Sequence, residues 1–217
     1  MHRPIVLVVM LASCSREPRA PAPIARDVGL EQQRFDAQRR PDTIVAAAGI
    51  KAGAKVADVG AGTGLLTVHL ADAVKPNGLV VATDIDMTVL DLLQERLEAT
   101  GLDDLVDQRV VDPDVPGLET GTYDRVLQAT DDPAPADPLS EAGTYDAIVL
   151  SEVDHLLTDE AAWLATAAVA LSPHGRIVIT NRLHHRDRTL AAARQAHLTV
   201  AAESAPVPTH FIAVLTR

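Results

Sequence analysis

The stretch that decides the fold is Val56-Ala-Asp-Val-Gly-Ala-Gly-Thr-Gly-Leu65, a short apolar run that leads into three closely spaced glycines. The run predicts a buried strand, and residues 63–74 predict the helix that follows it. Glycine has no Cβ, so the backbone at this junction can turn sharply and approach a ligand closely. Because a helix start carries free N–H groups and a partial positive charge, the junction suits a carboxylate or a phosphate.

Outward from this junction, short apolar strands alternate with helices of roughly a dozen residues. Helices are predicted at 27–39, 42–48, 63–74, 87–99, 159–171 and 187–197, and strands at 56–59, 79–83, 109–111, 147–150, 176–180, 198–202 and 210–216. The alternation predicts an α/β fold: a Rossmann-like, doubly wound, mostly parallel seven-stranded sheet with helices on both faces.

Residues 112–144 interrupt the alternation with many Asp, Pro and Gly residues, which predicts an insertion in the domain. The word Gly-Thr-Tyr-Asp occurs twice, at 121–124 and at 143–146. We place the fourth strand after the second copy, because Ala-Ile-Val-Leu at 147–150 is the stronger strand signal. Residues 126–129 are then available for an extra strand or hairpin.

The composition narrows the classes of protein to which this chain can belong. The chain has 217 residues, 47% hydrophobic and 23% charged, as is typical of a soluble globular domain. The formal net charge of -11 repels a phosphate backbone, so we expect no nucleic-acid partner. Aromatic residues make up only 2% of the chain, so platforms for stacking bases are scarce. A single cysteine, Cys14, excludes an internal disulfide and a Cys-based zinc site.

The N-terminal residues predict a targeting segment ahead of one domain at 27–217. The apolar run in residues 1–13 is shorter than the roughly 20 residues of a membrane-spanning helix but matches the apolar part of a signal peptide. Leu11-Ala-Ser-Cys14 resembles a bacterial lipobox, which implies cleavage before Cys14, lipid on that cysteine and a location in the bacterial cell envelope. The Pro- and Ala-rich residues 14–26 predict an extended tether. The alternatives are a buried first strand with a chance cysteine, or a start codon assigned too early, and the protein would then be cytoplasmic.

Two acidic residues indicate what the glycine stretch binds. The dinucleotide fingerprint G-x-G-x-x-G would need glycine at position 65, where this chain has Leu65. Asp58, two residues before the first glycine, would repel a pyrophosphate and is suited to hold an ammonium group. Asp84 ends the second predicted strand, where a carboxylate can accept both hydroxyls of a ribose. Together they predict a nucleoside that carries an amino acid.

These motifs resemble, in order, those of class I S-adenosylmethionine-dependent methyltransferases. The resemblance includes residues 56–65, Asp84, the strand after Tyr145-Asp146 and Leu-Ser-Pro-His-Gly-Arg at 171–176. It implies S-adenosylmethionine as the cofactor. The residues that it implies for cofactor binding are Asp58, Gly60, Ala61, Gly62, Gly64, Asp84, Ile85 and Asp112.

Within that set, the glycines correspond to the methionine portion of the cofactor, Asp58 to its amino group and Asp84 to its ribose. An acid after the third strand usually meets the adenine amine in this family, and Asp112 matches it by order. If the third strand is instead 126–129, Asp131 or Asp132 takes that place.

The implied reaction is in-line transfer of a methyl group from a sulfonium to a nucleophile, accelerated largely by positioning and by exclusion of water. We expect the acceptor at the carboxyl ends of the strands. There Glu152 and His155 are our candidate catalytic residues, as base and polar contact, and Asp154 and Asn181 are candidate substrate-binding residues. Asp154 and Asn181 alone supply too few ligands for a cation, so no metal is predicted.

Two functions of different classes fit these motifs. The first is a methyltransferase for a small-molecule acceptor. The alternative is a lipid-anchored, catalytically inactive nucleoside-binding protein with the same fold, because an exported enzyme has no obvious supply of the cofactor. Protein-carboxyl repair methyltransferases have a similar glycine loop, but no acceptor motif of theirs is evident here. The basic run at 182–188 is interpreted as a solvated helix start or, in an anchored protein, as a surface that faces lipid head groups.

Overall fold

The computed structural model describes residues 27–118, 126–127 and 143–217. Its helices are α1 (Val28–Arg39), α2 (Pro41–Ala48), α3 (Thr67–Val74), α4 (Met87–Thr100), α5 (Glu160–Ala170) and α6 (Arg186–Gln195), with short 3-10 turns at Asp103–Leu105, Asp154–Leu156 and Leu183–His185. Its strands are β1 (Lys55–Val59), β2 (Leu79–Asp84), β3 (Val106–Val110), β4 (Val126–Leu127), β5 (Tyr145–Ser151), β6 (Leu171–Arg182), β7 (Thr199–Val207) and β8 (His210–Thr216). No helix in the described ranges is long and apolar enough to cross a membrane.

The strands form one sheet in the order β4-β3-β2-β1-β5-β6-β8-β7. Strands β3, β2, β1, β5 and β6 are parallel to one another, whereas β8 runs antiparallel to both β6 and β7. The predicted doubly wound, mostly parallel sheet is confirmed. The two-residue β4 pairs antiparallel with β3 at the edge, as an addition to the seven predicted strands.

Side chains of the central strands alternate between two apolar layers, so these strands have nearly continuous apolar sequences. In β5, Ile148 and Leu150 face the layer that α5 and α6 cover. Ala147 and Val149 face the opposite layer, which α2, α3 and α4 cover. Burial on both faces leaves the carboxyl edge of the sheet as the place where polar loops collect.

Residues 172–175, which separate the predicted helix 159–171 from the predicted strand 176–180, lie inside β6. The register with β5 jumps from Tyr145 opposite Leu171 to Ala147 opposite Arg176, so this segment is an irregularity in a longer strand. A Cβ at Gly175 would lie 2.5 Å from the Tyr145 carbonyl oxygen, which explains glycine there.

Helix α1 lies at the carboxyl edge of the sheet and is held there largely by polar contacts. Gln32 Nε2 donates to the Leu65 carbonyl oxygen (2.9 Å), next to the glycine loop. Arg96 of α4 donates to Gln32 Oε1 (3.0 Å), and Arg39 at the other end of α1 pairs with Glu152 after β5. The helix therefore covers the edge at which both the cofactor and the acceptor are expected.

Replacing Leu164 by alanine should strongly destabilise the fold. Leu164 is fully buried in α5, and removing a buried leucine side chain typically costs about 2–5 kcal/mol. Urea unfolding followed by circular dichroism measures the loss. Val169→Ala on the same helix is the control, since Val169 is 63% exposed and the change should stay within about 0.5 kcal/mol. Equal losses in the two variants would contradict the assigned orientation of α5.

Candidate cofactor and acceptor site

The loop after β1 is folded onto the end of β2 by two hydrogen bonds. The Ala61 N–H donates to the Thr83 carbonyl oxygen (2.9 Å), and the Gly62 N–H donates to Asp84 Oδ2 (2.8 Å). Because β1 and β2 are adjacent and parallel, their following loops leave the same edge of the sheet. The structure thus brings the glycine loop and Asp84 into direct contact.

The three glycines of the loop are required for different reasons. Gly60, Gly62 and Gly64 all have positive φ, at 67°, 54° and 83°, a conformation that favours glycine. A Cβ at Gly60 would overlap Val153, and one at Gly64 would overlap Leu93, so these two glycines allow close packing. A Cβ at Gly62 would meet nothing within 4 Å. Gly62 therefore borders open space, beside Asp84, in which a bound nucleoside can be accommodated.

Asp84 retains the capacity to bind a sugar. Its Oδ2 accepts from Gly62 and its Oδ1 accepts from the Asp86 N–H (3.1 Å), so each oxygen has one hydrogen bond among the residues that the structure describes. A carboxylate offers about four lone-pair positions, which leaves both oxygens able to accept another donor. A pair of ribose hydroxyls fits this arrangement.

The residues expected at the base of the nucleoside lie beside Asp84. Ile85 follows it directly and is 62% exposed. Asp112 is exposed after β3, and its neighbour Val111 donates to the Asp84 carbonyl oxygen (3.0 Å). The alternatives Asp131 and Asp132 lie outside the described residues. The order of strands β1, β2 and β3 therefore places Asp112 close to the Asp84 loop.

Asp58 lies beneath the loop, not on its surface. The residue is 1% exposed, and its Oδ2 accepts a hydrogen bond from Thr67 Oγ1 (2.7 Å) at the start of α3. The pKa of Asp58 is raised to about 6, because burial raises it more than the Thr67 hydrogen bond lowers it, and the nearby charge of Asp84 also raises it. A cation that reached this carboxylate would relieve the cost of burying its charge.

Glu152 is surrounded by two arginines and a histidine at the end of β5. It pairs with Arg39 of α1, with Arg182 Nε (3.3 Å) and with His210 Nε2 (3.0 Å). Burial alone would raise the pKa of Glu152, but the hydrogen bond from His210 and the charge of Arg39 outweigh it and lower that pKa. A carboxylate so paired is a weak base, which argues against the proton-removing role expected for it.

His155 is oriented by the side-chain amide of Asn181, whose oxygen and nitrogen are distinguished by their hydrogen-bond partners. Asn181 Oδ1 accepts from the Arg182 N–H (2.7 Å) and Nδ2 donates to Asp154 Oδ1 (2.6 Å). The same Nδ2 lies 3.0 Å from His155 Nδ1, which must therefore be the hydrogen-bond acceptor. In the neutral ring Nε2 then carries the proton, so His155 offers a donor there and not a basic lone pair.

Asp154 and Asn181, expected to contact the substrate, are 0% and 1% exposed and bind each other. The second oxygen of Asp154 accepts from Thr189 Oγ1 of α6 (2.7 Å). Nearby, Glu160 is buried at the start of α5 and pairs with Arg188 (3.2 Å). Burial, followed by the charge of Asp154, raises the pKa of Glu160 to about 7. This polar cluster supports the Asp154–Leu156 turn from below.

Sequence reasoning missed the partners of Glu152 and the residue that packs on the glycine loop. Arg39, at the end of α1, is 8% exposed. Nothing in the sequence distinguishes it from the other charged residues of that helix, because its contact with Glu152 forms only in the fold. His210 opens β8 opposite Arg182, a register that the sequence does not specify. Val153 is an apolar residue between candidate polar ones, and no sequence signal distinguishes it. In the described ranges, no three His, Cys, Asp or Glu residues are grouped to hold a metal ion.

Comparison with known families agrees with this architecture. A family model described as "Methyltransferase domain" matches residues 57–177, more than half of the chain. The chain therefore belongs to this methyltransferase family, and its cofactor is S-adenosylmethionine.

A curated relative and two solved structures are similar to the chain. Protein-L-isoaspartate O-methyltransferase of Aeropyrum pernix is 36% identical over 89 residues, which are 41% of this chain and only 34% of that protein. A SAM-dependent methyltransferase from Aquifex aeolicus superposes with a TM-score of 0.62 at 18% identity, over 86% of this chain and 96% of that one. A TehB-like SAM-dependent methyltransferase from Corynebacterium glutamicum gives a TM-score of 0.59 at 19% identity, over 87% and 95%. At such identities the structural likeness establishes the fold.

Replacing Asp58 by asparagine should stabilise the cofactor-free protein at pH 8. The folded-state pKa of Asp58, about 6, lies above its ordinary value of 3.8, so the stability that it contributes is present below pH 3.8 and lost as pH rises through 6. A shift of roughly two units corresponds to about 3 kcal/mol at most. The substituted amide carries no charge and can still accept a hydrogen bond from Thr67.

The measurement is urea unfolding of both proteins at pH 4.5 and pH 8. The gain in the free energy of unfolding from Asp58→Asn should be large at pH 8 and small at pH 4.5. Asp72→Asn, at a largely exposed position of the same helix α3, is the matched control and should change little at either pH. An equal gain from Asp58→Asn at both pH values would show that charge burial is not its cause.

Proposed function

We propose that this chain methylates a small-molecule acceptor that is already anionic when it reacts, bound at the carboxyl ends of β5 and β6. The part of the proposal that concerns the cofactor rests on the contact of Gly62 with Asp84, beside open space. The acceptor half rests on the contacts that occupy Glu152 and His155.

For the cofactor, each candidate residue has a chemical match. The open side of Gly62 lets the nucleoside lie against the loop, and the free lone pairs of Asp84 suit the ribose hydroxyls. Asp58 supplies the negative charge nearest the amino group, directly or through the loop that it supports. Ile85 and Asp112 supply an apolar side chain and an acceptor for the adenine. Ala61 contributes through its backbone.

For the acceptor, the contacts of the two candidate catalytic residues are informative. Glu152 is paired with Arg39, Arg182 and His210, and the Nδ1 lone pair of His155 is engaged. When bound, S-adenosylmethionine supplies an activated methyl group, and its transfer to an anionic oxygen requires no proton to be removed. The name of the Aeropyrum relative, protein-L-isoaspartate O-methyltransferase, supports an oxygen acceptor.

The second candidate function is nucleoside binding without methyl transfer, on a lipid-anchored protein of this fold. The same two observations favour it, since a site in which Glu152 is paired and His155 Nδ1 already accepts a hydrogen bond also suits a protein that does no chemistry. Release of S-adenosylhomocysteine in the presence of a panel of organic acids separates the two candidates. Turnover supports the enzyme, and tight cofactor binding without turnover on any acid supports the binding protein.

Replacing Asp84 by asparagine should weaken binding of S-adenosylhomocysteine by about tenfold or more. The amide keeps one acceptor for Gly62 but loses the charge and the lone pairs that would bind the ribose hydroxyls. Isothermal titration calorimetry measures the change. Asp86→Ser is the matched control, since it removes a neighbouring charge while serine can still cap α4.

If both variants lose affinity equally, the effect is one of general charge and the assignment of Asp84 to the sugar is wrong. Unchanged affinity in Asp84→Asn would also contradict it. Thermal unfolding of both variants without ligand shows whether the loop itself has been disturbed.

We also propose that the protein is anchored in the cell envelope through lipid on Cys14, which lies outside the described residues. The lipobox-like residues 11–14 support this location. The full chain made in a bacterium that processes lipoproteins should have an intact mass that begins at lipidated Cys14. Cys14→Ser should retain Met1 and carry no lipid. Wild-type protein that keeps Met1 in the cytosolic fraction would refute the anchor and favour a cytoplasmic enzyme.

A further inference from the structure

The two turns that follow β5 and β6 form one continuous surface. The ring of His155 in the Asp154–Leu156 turn stacks on that of His185 in the Leu183–His185 turn, with centroids 4.4 Å apart and planes inclined by 22°. The ring of His184 lies 4.0 Å from that of His185. Residues of the two turns are therefore neighbours, although about thirty positions separate them in the chain.

Each of these turns exposes a leucine. Leu156 is 73% exposed and directly follows His155, and Leu183 is 43% exposed and directly precedes His184. Isolated exposed leucines are ordinary on protein surfaces, but two beside a ring stack at the edge expected to bind a ligand form a local apolar surface.

Next to this apolar surface is a cation with unused hydrogen-bonding capacity. Arg182 is 65% exposed, and within the described ranges its guanidinium is bonded only through Nε, to Glu152. Its two Nη groups are free to bind an anion. The other arginines of the run are engaged, Arg186 with Glu203 and Asp187, and Arg188 with Glu160 and two backbone carbonyls.

The surface is connected to the glycine loop through one residue. Glu152, which holds Arg182, directly precedes Val153, and the Val153 side chain packs against Gly60. A molecule bound along Arg182 and the two leucines would therefore lie beside the loop on which the cofactor is expected.

We propose that Arg182, Leu156 and Leu183 bind the acceptor, and that the acceptor is an amphiphilic organic anion with a charged head and a hydrocarbon body. The head binds the free side of the Arg182 guanidinium, as carboxylates and phosphates do with arginine. The body lies on the two leucines, where it removes apolar surface from water. This inference rests on the proposed function and adds the class of acceptor to it.

The test uses the full chain loaded with S-adenosylhomocysteine, whose binding is measured first. Dodecanoate, dodecyl phosphate and dodecanol are then titrated calorimetrically below their micelle-forming concentrations. At least one of the two anions should bind about tenfold tighter than the alcohol. Which of them binds distinguishes a carboxylate head from a phosphate head.

Variants separate the two parts of the surface. Arg182→Gln should abolish the preference for the anions, whereas Arg186→Gln, at an arginine already paired with Glu203, should keep it. Leu156→Asn with Leu183→Asn should weaken all three probes, whereas Val169→Asn, at an exposed valine of α5, should weaken none.

Other outcomes overturn the inference. Binding of S-adenosylhomocysteine without binding of any probe refutes the acceptor class and leaves the proposed function standing. Equal affinity for dodecanol and the anions refutes the role of Arg182. Binding to anionic phospholipid vesicles but not to monomeric probes would replace the inference with a membrane-docking surface. Failure to bind S-adenosylhomocysteine at all would instead refute the proposed function.

Discussion

The hydrogen bond from the Gly62 N–H to Asp84 Oδ2 joins the two loops on which the candidate site depends. It forms because β1 and β2 are neighbouring parallel strands, so their carboxyl ends meet at one edge of the sheet. An antiparallel neighbour would place the carboxylate at the opposite edge, away from the glycines. Topology thus positions the site, and the residue types at two strand ends determine which ligand it accepts.

Carboxylates near this edge differ in how their charge is compensated. Asp58 and Glu160 are buried, and burial raises their pKa values to about 6 and about 7. Glu152 has its pKa lowered, because His210 and Arg39 outweigh its partial burial. A cationic ligand therefore has more to gain near Asp58, whose charge is costly, than near Glu152, whose charge is already balanced within the protein.

The alternation of short apolar strands with helices was sufficient to predict the sheet and the position of the glycine loop. Strands that are buried on both faces have nearly continuous apolar sequences, which can be recognised. The start of α3 at Thr67 was not predictable, since residues 61–66 form a loop fastened to β2 by hydrogen bonds that no periodicity encodes. In the candidate site, the placement of Glu152 after β5 was predictable. Its partners Arg39 and His210 were not, because they approach from distant parts of the chain.

Helix α1 is fastened over the glycine loop by Gln32 and Arg39, through hydrogen bonds and an ion pair more than through apolar packing. The hydrogen bonds of Gln32 and the ion pair of Arg39 would be exchanged for contacts with water if the helix moved. Segments with little buried apolar surface open at the lowest free energies in a fold, and α1 has this character. Opening of α1 would break these polar contacts and the partial packing of Phe35 on one apolar layer, while the fully buried side chains of both layers would stay covered by the other helices.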